Sequence, residues 1–301
     1  MRSLPCLLAL ALLACGPAPT PASPRAPTGP VVIDGRSGAL VPWAEVLTDL
    51  RAARAVYIGE RHDRAGDHDA QRALVEALAE GEGRLAVGLE MVQRPYQPAL
   101  DAYVAGRIGA AAMLEGVEWE ARWGFDAELY LPILRVARAR RLPVVALNAR
   151  RELTRAVGTA GIEGLPEELA ADLPELRLDD PAHRAMVEDA LAGHPGLTDD
   201  HLERMYQAQV VWDETMADSA ARALAEPEGP ARIVVLAGRF HVLGGLGIPG
   251  RAARRGVEPY RIVLPVDAEE VGASVSADAP AADYLWVVDA GDDGAALIAW
   301  R

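Results

Sequence analysis

Short apolar runs alternate with helical stretches along this chain. The runs are continuous and apolar, as expected of strands that are covered by helices on both faces of a sheet. They occupy residues 55–59, 85–89, 142–147 and 233–237, with further candidates at 260–266 and 283–288. Helical periodicity separates them at residues 67–80, 126–140 and 199–225. The alternation predicts an α/β fold with a mainly parallel sheet, flanking helices and right-handed crossovers.

Two connections between the predicted strands are unusually long. Residues 91–141 and 149–231 are rich in helical pattern and poor in strand pattern. We expect these insertions to form a helical cap over the carboxyl edge of the strands. The sequence has no internal repeat and no second linker, so residues 31–301 are predicted to form a single α/β domain that includes the insertions.

The beginning of the chain predicts export. Arg2 supplies a short positive region, and the apolar run at residues 4–14 is too short to span a bilayer, which is typical of a secretory signal. The run ends in Leu12-Leu13-Ala14-Cys15. This ending resembles a bacterial lipobox, in which Cys15 becomes the lipid-bearing first residue of the mature protein. An ordinary signal peptide cut nearby is the alternative.

We therefore expect residues 1–14 to be a signal peptide and residues 15–30 to be a lipidated Cys with a Pro-rich tether. Six prolines among residues 16–30 favour an extended segment that buries nothing. The protein is predicted to be an exported lipoprotein that its acyl chains hold on a membrane. In a Gram-negative cell this would be the outer membrane or the periplasmic face.

Composition removes several kinds of chemistry. All thirty basic residues are arginine, which excludes a lysine Schiff base and a P-loop lysine. The two cysteines, Cys6 and Cys15, both lie in the segment predicted to be processed, which argues against iron–sulfur clusters, Cys-rich zinc sites and disulfides. The net charge of -14 disfavours nucleic-acid partners, because nucleic acids bind basic surfaces.

Polar side chains follow the ends of four predicted strands. They are Glu60 with His62, Glu90, Asn148, and Arg239 with His241. In open parallel sheets, ligands bind outside the carboxyl ends of the strands, so these residues are expected to converge at one crevice. If the backbone stays extended after each glycine, Glu60 and His62 point the same way, as do Arg239 and His241.

This crevice allows three kinds of chemistry. A divalent metal would be held by His62, His241 and Glu60 with one open position. Alternatively, a Glu and a His would act as base and acid on a water molecule, with Glu60 or Glu90 as the base. As a third alternative, the same side chains form the polar rim of a larger ligand. A serine nucleophile is not indicated, because the sequence has no Gly-x-Ser-x-Gly elbow.

A series of motifs, taken in order, resembles a known family. The motifs are Gly59-Glu60-x-His62-Asp63, Gly88-x-Glu90-Met91, Trp123 with Tyr130 and Pro132, Leu147-Asn148, residues 209–217, and Gly238-x-x-His241. Over roughly residues 40–265 the series is similar to the ChaN family of haem-binding lipoproteins, within the wider Tiki, TraB and erythromycin-esterase grouping. The resemblance implies an iron-regulated, membrane-attached protein with an α/β body and a helical subdomain, dimerising around haem.

The resemblance also implies which residues bind haem. Those on the shared motifs are His62, Glu90, Asn148, Arg239 and His241. His68 is added as a binding candidate because it lies close to His62 in the sequence. The family's iron is thought to take a Tyr ligand, and a phenolate is a hard donor suited to ferric iron. The candidates here, in order, are Tyr130, Tyr206 and Tyr96. Because the whole chain is acidic, local Arg239, Arg61 or His side chains would have to attract the haem propionates.

Further polar residues lie on or near the predicted helices. Gln209 and Asp213 interrupt an apolar stripe on the helix predicted at 199–225. Buried polar groups need partners, and the strand-end crevice is one place to find them, although a small rotation of the helix would leave both on the surface. Asp67 is expected to cap the helix that follows. No role is assigned to His183, His194 or His201.

Two functions remain in view. The leading one is a membrane-attached lipoprotein, a homodimer, that binds haem at the strand-end cleft for iron uptake. The rival is a metal-dependent hydrolase, peptidase-like or esterase-like, in which Glu60, His62, Glu90 and His241 activate water. The density of acid and His side chains favours the enzyme. The match to ChaN, including the lipobox, favours the binding protein.

Overall fold

A seven-stranded sheet forms the centre of the computed structural model, which describes residues 29–81, 83–192 and 198–288. The strands are β1 (Val31–Asp34), β2 (Ala55–Glu60), β3 (Leu85–Gln93), β4 (Val144–Asn148), β5 (Arg232–Gly238), β6 (Tyr260–Val266) and β7 (Tyr284–Val287). Their order across the sheet is β1-β7-β6-β2-β5-β3-β4. Only the β1–β7 pair among these is antiparallel. The α/β fold with a mainly parallel sheet is thereby confirmed.

Helices cover both faces of this sheet. They are α1 (Trp43–Ala52), α2 (Ala65–Ala79), α3 (Gln97–Val104), α4 (Ala110–Gly116), α5 (Trp119–Arg122), α6 (Leu131–Arg140), α7 (Arg151–Ala160), α8 (Glu167–Ala170), α9 (Pro181–Leu191), α10 (Asp199–Ala225), α11 (Ile248–Arg254) and α12 (Val271–Ser274). The long helix predicted at 199–225 has those bounds. None of the helices that the structure describes combines the length and the apolar character needed to cross a bilayer.

The central strands are buried on both sides, which explains why their sequences are continuously apolar. On β2, Val56 and Ile58 join a core cluster with residues of α1, α2 and α6. The alternate residues Ala55 and Tyr57 join a second cluster that includes Met216 of α10. Because successive side chains of a strand point to opposite faces, one six-residue strand contributes to both cores.

Every strand predicted from the apolar runs is present, whereas β1 was not predicted. This edge strand has four residues, of which only Val32 and Ile33 are buried. Its apolar signal is too short to stand out beside the Pro-rich stretch before it. Pairing with β7 defines the strand, and that partner lies about 250 residues away in sequence.

Helices make up most of the two long insertions. Residues 91–141 contain α3 to α6, and residues 149–231 contain α7 to α10. Side chains from both insertions line a cleft at the carboxyl ends of the strands. The predicted signal peptide, Cys15 and His194 lie outside the described residues, as does all but the last part of the predicted tether.

Candidate functional site

A cleft of about 360 Å³ opens where β2, β3, β4 and β5 end. Four of the predicted site residues line it together: His62, Glu90, Asn148 and His241. The helical insertions add Arg122, Trp123, Arg151 and Trp212 to the lining. The convergence of strand-end side chains that the sequence predicts is therefore found in the structure. Asn148 helps to shape this end of the sheet, because its amide donates to the Glu90 carbonyl at 2.8 Å.

Glu60 positions His62. One carboxylate oxygen, Oε1, lies 2.8 Å from His62 Nδ1 and accepts a hydrogen bond from the Tyr130 hydroxyl at 2.7 Å. Glu60 is 2% exposed, whereas 29% of the His62 side chain is exposed. We assign the Nδ1 proton to the bond with Glu60, which leaves Nε2 as the ring nitrogen available to a ligand in the cleft.

His68 packs behind this pair. Its Nε2 lies 3.1 Å from the His62 carbonyl oxygen, and its Nδ1 lies 3.5 Å from Glu60 Oε2. Within the described part of the chain, neither Glu60 Oε2 nor His68 Nδ1 has a hydrogen-bond partner. A proton shared between these two atoms would satisfy both. His68 is buried and packs on the Tyr130 ring, so it supports Glu60 rather than lining the cleft.

The glycines of the two Gly-x-x-His motifs are needed for close packing. A Cβ added at Gly238 would lie 2.7 Å from His62 Cε1 and 3.0 Å from His62 Nε2. A Cβ added at Gly59 would lie 2.4 Å from a Leu264 methyl carbon and 3.1 Å from the Cα of Arg239. The parallel pairing of β2 and β5 sets Glu60 opposite Gly238. The two motifs therefore pack directly against each other.

His241 stands between two buried carboxylates. Its Nδ1 lies 2.6 Å from Asp213 Oδ1, and its Nε2 lies 3.3 Å from Glu90 Oε1. The other Glu90 oxygen accepts a hydrogen bond from the backbone N–H of Gly238 at 2.6 Å. A carboxylate facing each ring nitrogen favours the doubly protonated imidazolium, in which both nitrogens donate.

For His241, the charges of its two carboxylate partners affect the pKa more than burial does. Burial alone would lower the pKa of His241, but the charges of Glu90 and Asp213 raise it well above its ordinary value. Burial would raise the pKa of Asp213, yet the charge of His241 and hydrogen bonds from His183 and His241 hold it below its ordinary value. The pKa of Glu90 is likewise lowered by His241 despite burial. At neutral pH the base of the cleft thus holds a cation between two carboxylates.

The pKa of His62 is also raised. Burial would lower it, but the hydrogen bond to Glu60 and the charge of Glu90 outweigh burial. Tyr130 behaves differently, because burial and the charge of Glu60 raise the pKa of its hydroxyl. The Tyr130 hydroxyl is therefore a donor to Glu60, and its phenolate form is strongly disfavoured.

A second layer of buried groups supports Asp213. Its Oδ2 accepts hydrogen bonds from His183 Nε2 at 3.0 Å and from Gln209 Nε2 at 3.2 Å. His183 Nδ1 lies 3.1 Å from Arg251 Nη2. Arginine can only donate, so Nδ1 accepts and the His183 proton is assigned to Nε2. Of the two positions that the sequence allowed for Gln209 and Asp213, the buried one is found.

The cleft wall is cationic and aromatic. Arg151 donates to the carbonyl oxygens of Ala121 and Arg122, and Arg122 pairs with exposed carboxylates. The Trp123 ring contacts His62 edge to face, with ring centroids 4.7 Å apart. Trp212 stands on the other side, 6.4 Å from the His241 ring, and is 36% exposed. A flat ligand bearing negative groups would meet complementary surface here.

Other predicted residues lie away from the cleft. Tyr206 is fully buried, donates to the Leu178 carbonyl at 3.1 Å, and lies under Arg184. Tyr130 is 2% exposed and bonded to Glu60. Tyr96 lies below the Arg122 guanidinium, 5.4 Å from it. None of the three presents a free hydroxyl to the cleft, since none is among its lining residues.

The prediction that Arg239 and His241 point the same way was wrong. The backbone does not stay extended after β5, because Arg239–His241 form a 3₁₀ turn. Residues two apart in such a turn diverge, so Arg239 pairs with Glu270 at 3.2 Å while His241 faces Glu90. The helix-capping role predicted for Asp67 was also wrong. Asp67 lies inside the first turn of α2 and pairs with Arg61, while Arg64 occupies the N-cap position.

The alternative of a divalent metal is not supported. In residues 29–81, 83–192 and 198–288, no three His, Cys, Asp or Glu side chains are arranged to hold a metal ion. Both ring nitrogens of His241 already face carboxylates, and His62 Nδ1 faces Glu60. These contacts leave the predicted set of His62, His241 and Glu60 without a common open centre.

Sequence reasoning missed three side chains of the candidate site. His183 stands on α9 and reaches Asp213 on α10, so no local spacing links the two. Arg122 and Arg151 line the cleft from the insertions. A signal for Arg151 was available, because it follows Asn148 by three residues at the end of a predicted strand.

Comparison with known proteins identifies the family of this chain. The model of a family described as haem-binding uptake, Tiki superfamily, ChaN, matches residues 46–251. A chloroplast protein of Arabidopsis thaliana, RETICULATA-RELATED 5, is 26% identical over 268 residues, covering 81% of this chain and 35% of that protein. The chain thus spans about a third of the length of this curated relative.

A solved structure shares the fold. ChaN of Campylobacter jejuni, solved with cofacial haem, superimposes with a TM-score of 0.67 at 16% identity, covering 86% of this chain and 96% of that one. An erythromycin esterase in its open conformation gives a TM-score of 0.45 at 17% identity, over 78% of this chain and 76% of that one. The second score is too low to support an inference about activity.

Proposed function

The chain belongs to the ChaN family of the Tiki superfamily, and on that premise we propose that it binds haem at the strand-end cleft and serves in haem uptake. The observation that carries the proposal is the lining of the cleft. It combines His62 and His241 at the strand ends with Arg122 and Arg151 on the wall, the exposed ring of Trp212 and the half-buried ring of Trp123.

Haem fits this set of groups by its chemistry. Its flat apolar ring would pack on Trp123 and Trp212, and its two propionates would be attracted to Arg122 and Arg151. Arg151 replaces Arg239 and Arg61 as the expected main propionate partner, because it donates to backbone carbonyl oxygens rather than to carboxylates. Arg122, which pairs with Glu118 and Glu152, is the second partner. Arg239 pairs with Glu270, and Arg61 pairs with Asp67 and Glu270.

His62 is the side chain best placed to bind the iron. Its Nδ1 is held by Glu60, a carboxylate that orients the ring and strengthens Nε2 as a donor, as carboxylates do behind other metal-binding histidines. Tyr130, the first candidate from sequence, would have to leave Glu60 and lose its proton in a buried setting. Tyr206 would have to leave Leu178.

Membrane attachment through Cys15 and assembly as a homodimer belong to the same proposal. The lipobox-like ending of the apolar run supports attachment. Three large apolar side chains, Phe125, Met205 and Trp212, are each more than a third exposed, and Trp212 lines the cleft. A second copy covering these side chains together with bound haem would remove them from water.

Hemin titration of the purified protein tests haem binding. We expect a saturable change in the haem absorbance band, weakened at least tenfold by His62→Gln. The matched control is His201→Gln, since His201 is exposed near the start of α10. Absence of a saturable band would contradict the proposal of haem binding. Equal binding of hemin by the two variants would contradict the assignment of His62 as the iron ligand.

The propionate contacts have their own test. Arg151→Gln and Arg122→Gln should weaken binding of hemin more than binding of its dimethyl ester, because the ester lacks the carboxylates. Equal weakening for both porphyrins would show that the arginines act through packing alone.

One observation favours a second candidate, a hydrolase that activates water without a metal. His241 sits between Glu90 and Asp213 at the base of the cleft, and such carboxylate–imidazole sets perform acid–base chemistry. A panel of ester and amide substrates, assayed with the parent and with His241→Gln, tests it. This candidate is refuted if His241→Gln hydrolyses a substrate as fast as the parent does. It is also refuted if the parent hydrolyses no substrate faster than buffer alone.

A further inference from the structure

A second polar cavity, of about 200 Å³, lies beside the cleft. Ala149 lines both spaces, and the next residues diverge, since Arg150 lines the small cavity and Arg151 lines the cleft. The small cavity is also lined by Arg94, Arg222 and Thr215. None of these side chains belongs to the cleft.

Thr215 marks the inner wall of this cavity. It is 1% exposed, and within the described residues its hydroxyl has no hydrogen-bond partner. Threonines in helices commonly donate to a carbonyl one turn earlier, but Thr215 does not. Buried hydroxyls are nearly always bonded to protein, water or ligand, so this one indicates an occupant of the cavity.

The charges around the cavity favour an anion. Arg94 donates to Ser219 at 2.7 Å and to Asp218 at 2.6 Å, and Arg222 lies 2.8 Å from the same Asp218 oxygen. One carboxylate thus serves two guanidinium groups. Burial, helped by the nearby charge of Arg222, lowers the pKa of Arg94 in spite of its pairing with Asp218.

A third guanidinium completes the lining. Arg150 lies 3.2 Å from Asp172, whose carboxylate faces the same cavity. Asp172 is the acidic side chain that opposes an anion here. Its Oδ2 lies 3.2 Å from Arg150 Nη1 but accepts no hydrogen bond within the described residues. The three arginines thus face two carboxylates at 3.2 Å or less, and Arg150 also lies 3.8 Å from the exposed Glu168.

We propose that this cavity binds a small oxyanion of the phosphate type. Arg94, Arg150 and Arg222 supply donors whose geometry suits tetrahedral oxyanions, and the Thr215 hydroxyl gains its missing partner. The proposal does not depend on haem, because the cleft and this cavity use different side chains.

Calorimetric titration of the full chain with inorganic phosphate, at constant ionic strength, tests the site. Binding should saturate, and Thr215→Val or Arg222→Gln should weaken it at least tenfold. Thr159→Val is the matched control, because Thr159 is exposed on α7 and bonds the Arg155 carbonyl within its own helix. The control should bind phosphate as the parent does.

A thermal unfolding measurement separates the site from a structural role. In phosphate-free buffer, Thr215→Val should leave the Tm unchanged or higher, because it removes a buried hydroxyl without a partner. Phosphate should raise the Tm of the parent and the control but not of Thr215→Val. No saturable phosphate binding, binding indifferent to both variants, or a lower phosphate-free Tm for Thr215→Val would overturn the proposal.

Discussion

Replacing Gly238 with Ala tests whether the two Gly-x-x-His motifs pack directly together. The new Cβ would lie 2.7 Å from His62 Cε1, whereas packed carbon atoms stay about 3.5–4.0 Å apart. Pairing with β2 holds Gly238, so the imidazole must yield. Overpacking of this kind costs about 1–3 kcal/mol of unfolding free energy. Loss of the His62–Glu60 hydrogen bond would add ~1.5–3 kcal/mol.

Gly158→Ala is the matched control. An added Cβ at Gly158, inside α7, meets no atom within 4 Å. Because Ala favours a helix over Gly by about 0.8–1.0 kcal/mol, this variant should be more stable than the parent. Urea unfolding at neutral pH should therefore shift in opposite directions for the two glycine substitutions.

NMR titration of the histidine rings reports on His62 itself. In the parent, the hydrogen bond to Glu60 and the charge of Glu90 hold the His62 pKa above its ordinary value against burial. Displacing the ring should lower that pKa in Gly238→Ala and leave it unchanged in Gly158→Ala. If Gly238→Ala unfolds at the parent's urea concentration and keeps the parent's His62 titration, the packing argument is refuted.

Three further changes probe the buried charges. Asp213→Asn should lower the unfolding free energy by about 3–5 kcal/mol, because it removes one partner of a buried pair. The control Asp69→Asn, at an exposed position, should change it by about 0.5 kcal/mol at most, and urea unfolding compares the two variants. The lowered pKa of Asp213 means that its stabilisation is present at neutral pH and lost as pH falls through that lowered value, so the parent should lose stability in acid more steeply than Asp213→Asn. His241 should show the opposite dependence on pH, because its pKa is raised: its stabilisation is complete below the unfolded pKa and is lost as pH rises through the raised value. Equal plots of stability against alkaline pH for the parent and His241→Gln would contradict this. Tyr130→Phe should lower the unfolding free energy by about 1.5–3 kcal/mol, since Glu60 loses a donor, yet leave the hemin spectrum unchanged; a lost band would restore Tyr130 as the iron ligand.

The sequence was sufficient to predict six of the seven strands and the convergence of the strand ends. Runs such as residues 55–59 and 233–237 are apolar throughout because both faces are buried, and that signal is local. Glu60, His62, Glu90 and His241 follow from the rule that ligands bind at the carboxyl ends of parallel strands. A rule about topology therefore located residues that are far apart in sequence.

The orientation of side chains after each strand could not be predicted in the same way. The 3₁₀ turn at Arg239–His241 begins directly after Gly238, and Gly238 packs against His62, its neighbour across the β2–β5 pair rather than along the chain. His183 and Arg251 were missed for a related reason, since their roles arise from helices packed over the sheet. Such contacts leave no periodic trace in the sequence.

The position of β1 has a mechanical consequence. It forms the edge of the sheet and is held to β7 by four residue pairs, with β7 and β6 standing between it and the strands that carry the cleft. Force transmitted along the chain from before residue 31 would peel this short ladder first. A tether at that end would therefore pull on an edge strand that β7 and β6 separate from β2, the strand that carries Glu60. Such a pull would reach the distances among Glu60, His62, Glu90 and His241 only through those two intervening strands.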